Sequence, residues 1–194
     1  LEALKLGFSS IMYDCSTDSY DVNVKKVSDM VKIAKLFGAT VEAELGHVGA
    51  NDADAAESGG SHDNSIYTEP EQARDFVEKT NVDALAVAIG TAHGAYKEKP
   101  KLDIERLKEI AKIVSVPLVL HGGSGLSDED FRNCVENGIS KVNIFTDINC
   151  AQVKSVVDNY KEGLGMTDVM CQSSEAVKLA TMKKMTIFGS VGKA

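Results

Sequence analysis

No stretch of about 18 or more apolar residues occurs in the 194-residue chain, which leaves no candidate for a helical membrane span. A basic patch is missing too. Asp and Glu number 29 against 21 Lys and Arg, for a formal net charge of −8. Nucleic acid is therefore not an expected partner. An acidic chain also repels anions at long range, so any phosphate site has to rely on local backbone donors and a bound cation. Cys15, Cys134, Cys150 and Cys171 are scattered, with no C-x-x-C pair. The opening LEALKLGFSSIMYD shows neither the basic region nor the apolar core of a signal peptide. Reduced thiols and a cytoplasmic location are the expectation. Repeats, low-complexity tracts and composition breaks are absent, so residues 1–194 read as a single domain. The first residue is Leu rather than Met, inside what reads as the end of a helix, and an upstream segment is expected.

What is present is an alternation of short apolar runs with longer amphipathic ones. Strands are predicted at Phe8–Asp14, Thr40–Gly46, Asp83–Gly90, Pro117–Gly122 and Lys141–Phe145. Helices are predicted at Val22–Phe37, Pro70–Lys79, Asp103–Val114, Ser127–Asn137, Asp147–Lys161 and Asp168–Lys184. Their punctuation is specific: Gly38 follows the first helix, Pro70 opens the second and Ser127 precedes the fourth as N-cap. A βαβα order implies a parallel sheet, and strands apolar throughout fit a sheet covered on both faces. About five strands are counted, where a closed barrel needs eight. A doubly wound open sheet is the alternative, but no G-x-G-x-x-G follows the first strand. The segment His47–Thr68 is long, Gly- and Asp-rich and without periodicity, as lids are.

Polar residues gather at the C-terminal ends of the predicted strands, the end where barrel enzymes build their sites. Asp14 ends the first. Glu42 and Glu44 lie on the second. His93 follows the third, His121 ends the fourth and Asn143 lies on the fifth. In VEAELG, alternation puts Glu42 and Glu44 on one face and Val41, Ala43 and Leu45 on the other. The apolar set should meet the helices, which turns both carboxylates inward. There they require a partner cation or a metal; a Lys or Arg ion pair is the structural alternative. His93 and His121, each beside Gly at a strand end, can offer two imidazoles to one zinc, whereas two separate hydrogen-bonded histidines would need no metal. A catalytic zinc takes three protein ligands, and the third is not evident. His47 and His62, on the long loop, read as solvated or lid residues. Gly122-Gly123-Ser124-Gly125 follows one strand, Asn143–Thr146 ends the next, and both precede helices, an arrangement suited to an anion.

Taken together these residues resemble the class II, zinc-dependent fructose- or tagatose-bisphosphate aldolases. Val41–Asp52 (VEAELGHVGAND) resembles one of the family's two signatures, with Asp52 where Glu is usual. AIGTAHG, LVLHGGSG and KVNI match in order and spacing, and the closing IFGSVGKA resembles the family's C-terminus. The resemblance implies an α/β fold, an incomplete (βα)8 TIM barrel comprising about the last five βα units and a C-terminal helix. It implies zinc on His93 and His121, with Asp14 and Glu44 at a second or alternative metal position. Gly94, Gly122, Gly123, Ser124, Asn143, Ile144, Phe145 and Thr146 would bind dihydroxyacetone phosphate, with a monovalent cation (Na+ or K+) near Gly94. Asp52 would be a mobile-loop acid, and Asn143 would lie near the reacting carbons. A homo-oligomer, dimer or tetramer, is the implied assembly, and a sugar bisphosphate the implied substrate. The family's other signature, H-x-D-H, which supplies the third zinc histidine and a proton-transfer aspartate, is absent. Phe145 stands where Ala or Asp is common. The alternative reading is an inactive fragment or a non-catalytic phosphate-binding or scaffolding subunit.

Overall fold

The structure, a computed structural model, describes residues 1–46, 49–50, 67–93 and 100–193, with the backbone alone at 49–50 and 92–93. A short helix α1 (Glu2–Lys5) precedes strand β1 (Ser10–Met12). Helix α2 (Tyr20–Leu36), strand β2 (Thr40–Leu45) and a two-residue strand β3 (Gly49–Ala50) follow. Next come α3 (Pro70–Thr80), β4 (Ala84–Val87), a second two-residue strand β5 (Ala92–His93) and α4 (Ile104–Ile113). The chain continues through β6 (Leu118–Leu120), α5 (Asp128–Glu136), β7 (Ile139–Val142), α6 (Thr146–Asn159) and α7 (Met166–Ile187).

Five strands form one parallel sheet in the order β1-β2-β4-β6-β7. Each new strand adds on the same side of the last. A doubly wound sheet reverses direction at a switch point; here the winding never reverses, which is the topology of a barrel wall. The pairings Met12↔Glu42, Glu44↔Ala86 and Leu85↔Leu118 keep the strands in step and bring their C-terminal tips to one edge. β3 and β5 pair separately, Ala50 opposite His93.

Local chemistry sets the helix ends. Gly38, at φ +69°, closes α2: its N–H donates to Lys35 O and the N–H of Ala39 to Ala34 O, both at about one turn's reach. Ser127 caps α5 in a reciprocal pair with Asp130. Ser127 Oγ accepts from Asp130 N at 3.1 Å, and Asp130 Oδ2 accepts from Ser127 N at 3.2 Å. The core lies between sheet and helices. Val27 and Val31 of α2, Phe76 of α3, Leu107 and Ile110 of α4 and Phe131 of α5 pack against Val41, Leu45, Leu85, Val87 and Leu120.

The last strand differs from the expected Lys141–Phe145. It begins two residues earlier and ends at Val142. A register shift between Leu118 and Val119 pairs Leu118 with Ile139 but Val119 with Lys141, so one residue of β7 is bulged out. Asn143 N still donates to Leu120 O at 3.2 Å, after which the chain leaves the ladder. Asn143–Phe145 is thereby a loop feeding α6 rather than strand.

Candidate active site

The strand alternation in β2 sends Val41, Ala43 and Leu45 into the core and turns Glu42 and Glu44 to the opposite face. There both carboxylates meet His121, the residue directly after β6. His121 Nδ1 lies 2.8 Å from Glu44 Oε2, and Nε2 lies 2.9 Å from Glu42 Oε1. All three residues are buried, at 4, 3 and 7% exposure. Burial alone pushes the His121 pKa down, but the two carboxylate bonds outweigh it and raise it to about 9. The ring is therefore protonated at neutral pH and donates from both nitrogens. Glu42 has a second partner: Lys141 Nζ on β7 donates to its Oε2 at 2.7 Å. Burial pushes the Glu42 carboxyl up, and the bonds from His121 and Lys141 overcome this and hold it below the usual carboxylate range.

Two further groups reach the end of β2. Where β1 diverges beyond Met12, Asn23 Nδ2 of α2 donates to Glu44 O at 3.1 Å in place of a ladder bond. Ser16 Oγ lies 3.5 Å from Glu44 Oε1. Asp14 is exposed, and its Oδ1 accepts from Ser16 N at 2.8 Å, a local turn that keeps it at the mouth rather than in the His121 cluster.

The loops after β6 and β7 meet. Gly122, Gly123, Ser124, Asn143, Ile144, Phe145 and Thr146 line a single cavity of about 410 Å³. Two hydrogen bonds stitch the loops together. Thr146 N donates to Ser124 Oγ at 3.2 Å, and Gly125 N donates to Asp147 Oδ1 at 3.0 Å. Gly123 sits over Phe131, and a Cβ there would meet the ring at 3.0 Å. The N-terminus of α6 opens onto the cavity, the end of a helix that favours negative charge. Phe145, at 74% exposure, projects at the rim.

Asp52, Gly94, His47 and His62 lie outside the described residues, as does the side chain of His93. Among the described residues no group of three His, Cys, Asp or Glu is placed to hold a metal. His121 and Glu44 have the right donor chemistry for zinc. In this conformation, however, both imidazole nitrogens are spent on carboxylates, and a lone pair becomes available only when one carboxylate turns away and the ring gives up a proton. Arg106 is also committed. It bonds Asp103 Oδ2 at 3.1 Å, Glu69 Oε1 at 2.8 Å and Thr68 O at 3.3 Å, as a strut between the segment ahead of α3 and α4.

Reasoning from the sequence missed Lys141 as the partner of Glu42, and missed Asp147 and Lys184 beside the cavity. Lys141 lies 99 residues from Glu42, and no local signal links them. Asp147 was accessible in principle: an acid in the first turn of a helix that follows a candidate anion loop is a recognisable pattern.

A one-way parallel β/α wall, with polar side chains at its strand tips and a glycine-lined cavity at the same edge, is the architecture of part of a TIM barrel. The model of the family "Fructose-bisphosphate aldolase class-II" matches residues 1–193. The chain belongs to that family. It is 40% identical over 188 residues to the uncharacterized protein YdjI of Escherichia coli K12, covering 97% of this chain and 66% of that protein. It is 37% identical over 196 residues to the fructose-bisphosphate aldolase of Staphylococcus aureus Mu50, covering 67% of it. The crystal structure of the E. coli YdjI aldolase superposes with a TM-score of 0.84 at 37% identity, over 99% of this chain and 65% of that one. A fructose-1,6-biphosphate aldolase candidate from Coccidioides immitis gives the same TM-score at 32% identity. The chain thus spans about two-thirds of the length of these relatives.

Proposed function

We propose that the full-length protein is a class II aldolase that reversibly cleaves fructose 1,6-bisphosphate or tagatose 1,6-bisphosphate to dihydroxyacetone phosphate and glyceraldehyde 3-phosphate. One observation carries the proposal: the loops Gly122–Ser124 and Asn143–Thr146 come together around one cavity directly beyond His121. The family match and the named S. aureus aldolase support the same reading.

In this reading the phosphate of dihydroxyacetone phosphate sits in that cavity at the start of α6, where the dipole and the loop hydroxyls favour an anion. Asn143 faces the carbons next to the scissile bond. Asp52 moves the C3 proton from its segment after β2. His121 and His93 would hold zinc, which supplies Lewis-acid polarisation of the substrate carbonyl. His121 would be able to join that set after giving up a ring proton and losing one carboxylate contact, and Glu42 with Lys141 would orient the ring rather than touch substrate. Asp14 and Glu44 would serve a second metal position, and Gly94 a monovalent cation. The protein acts in the cytoplasm as a dimer or tetramer.

The test is a coupled assay of triose phosphate release from both ketose bisphosphates by the full-length polypeptide, with and without zinc. Zinc-dependent turnover of either substrate is expected. Absence of turnover of both, in folded protein containing stoichiometric zinc, would leave the non-catalytic reading.

A further inference from the structure

The proposed phosphate cavity has an acidic neighbour, and the C-terminal helix answers it. Asp147 is the residue after Thr146, which lines the cavity, and its Oδ1 accepts from Gly125 N at 3.0 Å. A carboxylate so close to the start of α6 helps to hold the glycine loop, yet its charge opposes that of a bound phosphate. The chain already carries a net charge of −8, so no distant excess of cations offsets it. The offset is local. Lys184 of α7 places Nζ 2.6 Å from Asp147 Oδ2, with 13% of the Lys184 side chain and 26% of the Asp147 side chain exposed.

Lys184 is held for this contact. Its Nζ lies 4.5 Å from the centroid of the Phe131 ring, and Phe188, one turn further on, meets the same ring edge-on at 5.1 Å. Phe131 is fully buried beneath Gly123. One aromatic ring therefore packs against both the glycine loop and the end of α7. Neighbouring Lys183 behaves differently: it pairs with Asp128 at 3.3 Å on a largely exposed surface, a contact worth little.

We propose that Lys184 is a positioning residue of the phosphate site: by neutralising Asp147 it lets that carboxylate pin Gly125 without repelling the anion. The inference rests on the reading of this cavity as a phosphate site and adds to it the element that sets its charge. Lys184, 59 residues beyond Gly125, thereby tunes affinity without touching the ligand.

The experiment measures the Kd for inorganic phosphate by calorimetry on the intact protein, for wild type, K184M, D147N and D147N/K184M, with melting temperatures as the folding control. K184M is expected to weaken phosphate binding about tenfold, because an uncompensated partly buried charge acts at a few ångströms. D147N keeps an amide oxygen for Gly125 N and should bind at least as tightly as wild type. The double variant should return to within about threefold of wild type. Rescue is the decisive readout: were Lys184 merely structural, D147N would add to the damage. A K184M affinity equal to that of wild type, a double variant no better than K184M, or a D147N variant weaker than wild type overturns the inference. The D147N result stands even if K184M fails to fold. Failure of wild type to bind phosphate at millimolar concentration instead sinks the reading of the cavity itself.

Discussion

Replacing His121 with alanine removes the side chain that, among the described residues, bonds both buried carboxylates of β2. Glu42 keeps Lys141, 2.7 Å away, and Glu44 loses its 2.8 Å contact with the ring. Removing one partner of a buried ion pair costs about 3–5 kcal/mol, because the remaining charge stays desolvated. Lys141 shields one of the two acids, so the lower half of that range, about 3 kcal/mol, is the expected loss for metal-free H121A. The companion variant E44Q/H121A takes away the Glu44 charge as well and should recover at least about 1 kcal/mol of the loss. The assay is urea unfolding at pH 7 after chelation, so that no bound metal adds stability. With a slope of about 2–3 kcal/mol/M the H121A midpoint should fall by roughly 1 M. A loss below about 1 kcal/mol, or no recovery in the double variant, would refute the view that His121 is held as a cation between the two acids.

Thr68 Oγ1 bridges two strand ends, donating to Leu45 O and accepting from Ala88 N at 2.8 Å, so T68V should cost about 1–3 kcal/mol through an unsatisfied buried N–H, read as a lowered urea midpoint. Gly138 stands at φ +120° with Ala111 Cβ 2.5 Å from where its own Cβ would be, and G138A should lose about 2–4 kcal/mol in thermal melts. Alkylation at pH 8 should modify exposed Cys150 and Cys171 in the native state and spare Cys134, whose thiol is pushed up to about 12 by burial, and then by Asp130. Rapid native labelling of Cys134, followed by mass mapping, would contradict its placement in the core.

Much of this was legible in the linear order of residues, because the chemistry involved is local. The alternation in VEAELG is enough to place Glu42 and Glu44 together on the face away from the helices, since strand side chains have a period of two. Gly38 and Ser127 mark helix ends because only particular residues satisfy the open backbone groups there. GGSG announces a loop between strand and helix. The end of β7 was misjudged by periodicity: apolar Ile144 and Phe145 look like strand, but the bulge opposite Leu118 and Val119 shifts the ladder and sends Phe145 to the rim.

What the fold alone decided is which groups meet. Glu44 and Glu42 find His121 77 and 79 residues later, and Lys184 reaches Asp147 from a helix beyond. Such pairings depend on strand order and register, which are set by how helices and sheet bury their apolar faces as a whole. No short window of sequence encodes that sum, so the residues that carry charge to the site became visible only once the parallel wall had brought its strand tips together.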